Sequence, residues 1–473
     1  MHKKPSVRVL SVFTLAMINI SAVASLKNLP IMAEYGWAMV FFYAFACLVF
    51  FIPCSLVSAE LATGWPETGG VYVWVREALG SYWGFLAAWL FWTTNVAWIP
   101  SHLAFLGGAI AYIINPELIA NKVYMVSMVL GLLWFFILVN LRGMKISGFI
   151  STVGAMVGTL LPGALIIGLG VYWAQSGEPL AIEFSWRGLL PDLGGLSQIA
   201  FLAGTLLALA GMELSAVHAR EVKNPKRDYP RAIFIASILI LVIYTLGSLA
   251  IALVVPEEEI NLIDGVFRTF ADIFGVFGVP QMTKFMALCI IIGSIATLST
   301  WIVGPVKSLL ATSRNGDLPL FFQKINKHHM PANIMITQGL IVTALALLFV
   351  LMPSVESAFW LLYVMTAELY LMMYLFMFAS AIVLRYKHPE VYRSYRVPGG
   401  NVGMWLVAGL GFVGCLFAFC AGFIPPKMVL PGDRPLYMGV LAAGVVLFSL
   451  PPFLLHRFRR EAWSQRPPEV FEE

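Results

Sequence analysis

The sequence predicts an all-α membrane protein with twelve transmembrane helices, and three observations predict it. The 473 residues are 60% hydrophobic and only 12% charged, with a mean hydropathy of +0.84, whereas soluble chains carry about 25% charged residues. The apolar residues fall into runs of the ~20 residues needed to cross a hydrocarbon core. The Lys and Arg residues between the runs are biased to one side. An ordinary cytosolic enzyme is excluded, because no soluble fold of this length could hide so much apolar surface. Twelve helices use roughly 250 residues, which leaves short loops and no stretch long and polar enough for a second, soluble domain.

Taken in order, spans 1 to 12 lie at about 10–33, 37–60, 80–113, 123–141, 148–173, 197–220, 231–255, 283–312, 332–352, 357–385, 403–424 and 436–456. The runs are uniformly apolar, where barrel strands would alternate with period two. The first run follows Lys3 and Lys4 as a signal peptide would, but Asn19 and Lys27 interrupt it and no small-residue cleavage site closes it. It therefore reads as span 1. With the N-terminus inside, every one of the 30 Lys and Arg residues except Lys27, Lys122, Arg187, Arg268, Lys284, Lys427 and Arg434 falls on the inside half. Adding or dropping one span would spoil that bias, so both termini are expected in the cytoplasm, with 457–473 as a short tail. The outside loop 256–282 is acidic and carries an amphipathic stretch at 266–277, expected to lie on the outer surface.

The net charge of +5 gives no support to a nucleic-acid partner. The five cysteines lie within apolar runs without metal-ligand spacing, so they are expected as small buried hydrophobes, and neither a metal nor a cofactor is expected. HExxH, a serine–histidine pair and a spaced carboxylate pair are all missing from the sequence, which argues against a membrane enzyme. Polar and small residues inside spans stand out instead. Span 1 carries Asn19, Ser21, Ala22, Ala24, Ser25, Lys27 and Asn28; span 6 carries Gly204, Ala208, Ala210, Gly211, Met212 and Glu213. Weak helix formers in mid-span write either a discontinuous helix lining a cavity or close helix packing. Two breaks in corresponding spans of two halves point to an inverted-repeat transporter with its site near the bilayer midplane.

Two segments carry a resemblance. Residues 59–74, AELATGWPETGGVYVW, and Gly211-Met212-Glu213 followed by 221–233, EVKNPKRDYPRAI, resemble span 2, span 6 and the loop after it in the amino acid–polyamine–organocation superfamily. The likeness extends over nearly the whole chain. Trp301-Ile302-Val303-Gly304-Pro305 and Lys387-His388-Pro389 make it closest to bacterial glutamate/γ-aminobutyrate antiporters. The resemblance implies a LeuT-like fold of two inverted five-helix repeats, about 10–173 and 197–385, with 403–456 appended. It also implies alternating access and an amino acid substrate, carried in a bacterial inner membrane. Two departures stand out: this chain has Thr297 where the antiporter has a carboxylate in span 8, and with only 457–473 following span 12 a long C-terminal plug is not expected.

Roles follow residue by residue. Backbone amides around Ser21, Ala22, Val23 and Ala24, heading the second half of span 1, are expected to receive a substrate carboxylate. Carbonyls of Ile18, Asn19 and Ile20, and of Ala208 to Ala210, are expected to receive its ammonium. By the resemblance, Gly211, Met212 and Glu213 lie at the span 6 break and Glu213 faces the substrate; Asn95, Thr297 and Tyr370 complete the expected binding set. A charge at mid-membrane costs about 2.5–3.5 kcal/mol, so Lys27, Glu213 and Glu368, with His218, are the candidates for proton coupling or selectivity. Glu60 and Arg227 are expected as an inside latch. The expected function is amino acid exchange or proton symport, the amino acid's decarboxylated amine being a further substrate; sodium coupling and a transporter-like sensor are the alternatives. A channel would show repeated filters or charged rings, and none is visible.

Overall fold

A computed structural model describes residues 11–66, 69–143, 148–191, 199–214, 224–426, 431–460 and 463. All regular elements among the described residues are helical. Among the described residues, ten helices are long and apolar enough to cross a membrane, and they fall in predicted spans 2 to 5 and 7 to 12. The pair Val12–Val23 and Leu26–Ala33, bent by 42°, together has the length and apolarity of an eleventh, in span 1. Span 6 contributes the shorter apolar stretch Leu202–Leu214. His218 lies outside the described residues. The chain is a multi-pass membrane protein, and large side chains such as Leu48, Phe135, Phe234 and Leu447 are exposed along the spans, where lipid is the solvent.

The long helices surround span 1. Span 3 (Ser81–Ile114) packs along span 8 (Gln281–Thr312) and span 10 (Val355–Lys387), while span 7 (Pro225–Val254) packs on the first half of span 1 and on span 5. The short helix of span 6, Leu202–Ala208, is seated against span 10 and span 11 (Gly400–Gly422). Without a hydrophobic force between helices in lipid, close approach relies on small residues. Gly158 and Gly293 supply it between spans 5 and 8: a Cβ built on Gly293 would lie 2.6 Å from Gly158 Cα. Proline shapes the spans locally. Pro53 and Pro162 each follow a widened, π-type turn (Cys47–Phe51 and Met156–Leu160), which absorbs the missing N–H. In span 3, Pro100 withholds the bond that the carbonyl four residues earlier would receive, close to Asn95 and Trp98.

The acidic loop after span 7 forms the helix Gly265–Val276, whose Phe267, Phe270 and Ile273 are buried. Phe267 stacks on Phe105 of span 3 with ring centroids 5.4 Å apart. The amphipathic stretch is thus docked onto the bundle. At its start, burial raises the Asp264 carboxyl, while the Tyr112 hydroxyl, donating at 3.1 Å, works against that rise.

Candidate substrate site

The two breaks build the site. The first half of span 1 ends at Val23, because Ala24 (φ −70°, ψ 116°) and Ser25 (φ −138°, ψ 124°) are extended; a 3-10 turn, Leu26–Asn28, opens the second half. The partner of this break is Tyr244 of span 7. Its hydroxyl donates to the Val23 carbonyl at 2.7 Å and accepts from the Ser25 N–H and Asn28 Nδ2, both at 3.0 Å. One donor and two acceptors are a hydroxyl's full capacity. The freed backbone groups are therefore satisfied, as a break inside the membrane requires. Tyr363 of span 10 donates to Asn28 Oδ1 at 3.0 Å, and Ser248 donates to the Leu29 carbonyl at 2.9 Å.

The sequence expectation for span 1 is corrected here. The amides of Ser21, Ala22 and Val23 lie within the first helix, and the Ala24 N–H donates back to Ile20 at 2.7 Å. The carbonyls of Ile18, Asn19 and Ile20 are likewise helical, so Leu26 and Lys27 head the second half. The physical reason is tertiary. Small residues permit a break anywhere in 19–25, and the place is chosen by where Tyr244 can reach both freed groups.

Span 6 breaks after Ala208. Leu209 and Ala210 form a turn, Gly211 sits at φ +116°, and a second 3-10 turn covers Met212, Glu213 and Leu214. Only glycine adopts that φ without strain. The Gly211 N–H donates to Tyr374 Oη at 2.9 Å; Tyr374 then donates to Glu213 Oε2 at 2.6 Å, and Tyr370 donates to Glu213 Oε1. A Cβ on Gly211 would lie 3.4 Å from Val23 Cγ2 and 3.5 Å from the Ala22 carbonyl, so the two breaks touch.

Beside that contact lies a small cavity of about 40 Å³, lined by Ala22, Val23, Ala24, Ser25, Lys27 and Asn28 of span 1, Thr94, Asn95 and Trp98 of span 3, Leu207 and Ala210 of span 6, Thr297 and Trp301 of span 8, and Tyr363, Thr366 and Tyr370 of span 10. Thr94 Oγ1 and both amide atoms of Asn95 are buried in it without a protein partner, as groups awaiting a polar ligand would be. Lys27 is the only charged side chain in the lining. It is 1% exposed. Its Nζ donates to Ser101 Oγ at 3.3 Å and lies over the rings of Trp98 (4.9 Å) and Tyr363 (5.2 Å). Among the described residues no carboxylate forms an ion pair with it. Behind Trp98, stacked at 4.2 Å, His102 donates through Nε2 to the Ser294 carbonyl at 3.0 Å.

Of the predicted residues, the cavity collects Ala22, Val23, Ala24, Lys27, Asn95, Ala210, Thr297 and Tyr370. It does not collect Ile18, Asn19, Ile20, Ser21, Ala208, Gly211, Met212, Glu213 or Glu368. Asn19 is buried in span 1 with neither amide atom partnered. Glu213 does not face the cavity: two tyrosines pull its carboxylate behind Tyr370. Glu368 lies on the opposite side of span 10 from Tyr370, since two residues advance a helix by about 200°. The latch is also rewired. Glu60 pairs with Arg385 through Nε (2.5 Å) and Nη2 (2.6 Å), with Arg393 at 3.4 Å, and accepts the Val397 N–H at 2.7 Å. Arg227 is exposed and makes no ion pair with it. The forked guanidinium at the end of span 10 matches the carboxylate geometry. There burial depresses the Arg393 guanidinium and Glu60 opposes the shift. Sequence reasoning missed Tyr244, Tyr363 and Tyr374 as partners of the breaks. Tyr244 and Ser248, one turn apart in a greasy span, were the available signal.

Comparison with known proteins agrees with this architecture. Residues 10–448 match the amino acid permease family. A protein of Legionella pneumophila described as an uncharacterized transporter is 45% identical, with 95% of this chain and 97% of that protein covered. A glutamate/gamma-aminobutyrate antiporter of Lactococcus lactis is 30% identical over 98% of this chain and 92% of its own, and a probable agmatine/putrescine antiporter of the same species is 24% identical over 78% of each. The crystal structure of MhsT in complex with L-phenylalanine covers 89% of this chain and 100% of its own with a TM-score of 0.61 at 16% identity, a likeness of fold alone. A helical, multi-pass bundle with two touching breaks, matched along nearly its whole length, belongs to the amino acid permease family of transporters.

Proposed function

We propose that this protein exchanges small amino acids across a bacterial inner membrane by alternating access, and that it takes those bearing an acidic side chain. The observation that carries the reading is Lys27, a buried ammonium at the cavity wall with one weak hydroxyl partner and no carboxylate paired to it. A ligand carboxylate would supply the missing counter-charge in a site of low dielectric. The α-carboxylate meets the head of the second half of span 1 at Leu26 and Lys27, where helix-start amides favour anions. The α-ammonium meets the carbonyls that end the first half of span 6, near Ala210, with Asn95 and Thr94 alongside. Loss of the α-carboxylate from such a substrate leaves the side-chain carboxylate intact. Lys27 could therefore hold both an acidic amino acid and its decarboxylated amine, which fits an exchanger, and the name of the Lactococcus lactis relative accords with that pairing.

The two five-helix repeats, the appended pair of spans and the cytoplasmic termini belong to this reading, supported by the positive charge of the even-numbered loops. Glu60 with Arg385 and Arg393 then forms a closure between span 2 and span 10 on the inner side. Counterflow in proteoliposomes tests the proposal. Labelled glutamate or aspartate should enter vesicles preloaded with the same compound or with γ-aminobutyrate, and agmatine and putrescine should compete poorly. Preference for the cationic amines would overturn it.

A further inference from the structure

Span 10 has a second face that the substrate site does not use. Tyr363, Thr366 and Tyr370 point into the cavity, and Glu368 points away from it toward the first half of span 6 and the appended spans. Glu368 is fully buried, and neither of its carboxylate oxygens has a hydrogen-bond partner. The space it occupies exists because Gly422 of span 11 has no side chain: a Cβ there would run into Glu368 Oε1 and would lie 3.0 Å from Ala203 Cβ of span 6. Nearby, Tyr437 of span 12 accepts from Trp360 Nε1 at 3.1 Å and donates to the Gly422 carbonyl at 3.4 Å, so its own hydrogen is engaged elsewhere. Tyr437 is thus a titratable side chain that meets Gly422 as Glu368 does.

A carboxylate without a single donor cannot remain ionised in such a place. A neutral carboxyl there still forgoes its own hydrogen bonds, so the residue lowers stability in this state, and an apolar side chain of the same length would pack better. An ionisable group at mid-membrane that lowers stability is a functional site by default. We propose that Glu368 is a proton-binding site at the seam between spans 6, 10 and 11, and that its loading and release couple protons to transport from outside the amino acid cavity. In the present state Glu368 is sealed from solvent and holds its proton. Release requires water or a donor to reach the carboxylate, hence movement of Ala203 and the short helix of span 6. That helix ends at the break whose turn lines the cavity. The substrate and the proton thus act on the two ends of one seven-residue helix, Leu202–Ala208. This inference rests on the transport reading.

The test uses the full chain. In proteoliposomes, E368Q should keep glutamate counterflow at symmetric pH within about twofold, and should lose the extra accumulation that an acid-outside pH gradient gives the wild type. In detergent at neutral pH, the infrared band of a protonated carboxyl should be present in the wild type and missing in E368Q. Glu368→Met should melt above the wild type. Unchanged gradient-driven accumulation in E368Q, a wild type indifferent to the gradient, identical infrared spectra, or a lower melting temperature for Glu368→Met would each overturn the proposal. A wild type that moves no amino acid at all would sink the transport reading instead, and the infrared band and the melting shift would still decide the state of Glu368.

Discussion

The two breaks carry the same device and use it differently. Each is followed by a single 3-10 turn with an ionisable residue in the middle: Lys27 in Leu26–Asn28, and Glu213 in the turn Met212 to Leu214. Each break has one backbone N–H received by a tyrosine hydroxyl from another span, Ser25 by Tyr244 and Gly211 by Tyr374. The difference lies in where the hydroxyl's own hydrogen goes. Tyr244 returns it to the backbone at Val23, so break one closes on neutral groups and Lys27 is left over, turned into the cavity. Tyr374 passes it to Glu213, so break two closes through its own carboxylate, which is thereby withdrawn from the cavity. One charge is offered to a ligand and the other is consumed in holding the helix ends.

The largest effect should come from removing the offered charge. Lys27→Met is expected to cut counterflow of acidic substrates at least tenfold, the loss of about 1.4 kcal/mol or more of binding. Folding should be unharmed, because an unpaired buried ammonium contributes no stability. Loss of both transport and melting temperature in this variant would mean that Lys27 is as structural as Glu213, and the contrast between the breaks would vanish.

Next come the tyrosines. Tyr244→Phe leaves the Val23 carbonyl, the Ser25 N–H and the Asn28 amide without their shared partner, and each orphaned group costs about 1–3 kcal/mol. A net destabilisation of about 3 kcal/mol is expected, read as a lower melting temperature in detergent. Tyr374→Phe orphans one N–H and takes one of the two tyrosine donors from Glu213, so about 2 kcal/mol is expected. Should the two variants melt in the reverse order, the carboxylate closure would be the stronger of the two.

The sequence already contains half of this picture. Small residues in spans 1 and 6 marked both breaks, and three ionisable residues inside apolar runs marked groups that lipid could not accept. Composition and charge placement made the bundle legible, because length and polarity alone decide what crosses a bilayer. The pairing of the breaks was not legible. Tyr244 and Tyr374 are each more than 150 positions away from the amides they receive, and nothing local distinguishes them from tyrosines that merely pack. For the same reason the break in span 1 was expected among Ser21 to Ala24, whereas it falls at Ala24 and Ser25, where a distant hydroxyl reaches. Glu213 was expected in the cavity because the resemblance puts it at the span 6 break, while the direction of its side chain is set by two tyrosines on span 10. The latch failed likewise: Glu60 and Arg227 both stand at inner loops, but the geometry that selects Arg385 is a property of the folded ends of spans 2 and 10.

The smallest change in stability, and the sharpest test of the contrast, is Glu213→Gln. Glutamine keeps the length and shape of the side chain. Its carbonyl can still accept from Tyr370. Its amide must face Tyr374, whose oxygen already accepts the Gly211 N–H but retains a second lone pair; the cost is the Tyr374 hydrogen, which loses its acceptor. The melting temperature should therefore shift by less than that of Tyr374→Phe, equivalent to about 1 kcal/mol. What glutamine cannot do is change its charge. If break two is closed by a titratable group and break one by neutral ones, E213Q should flatten the pH profile of counterflow. Lys27→Met should lower the whole profile. A wild-type pH profile in E213Q would show that the carboxylate closes the break without ever exchanging its proton, and the two breaks would then differ in wiring but not in function.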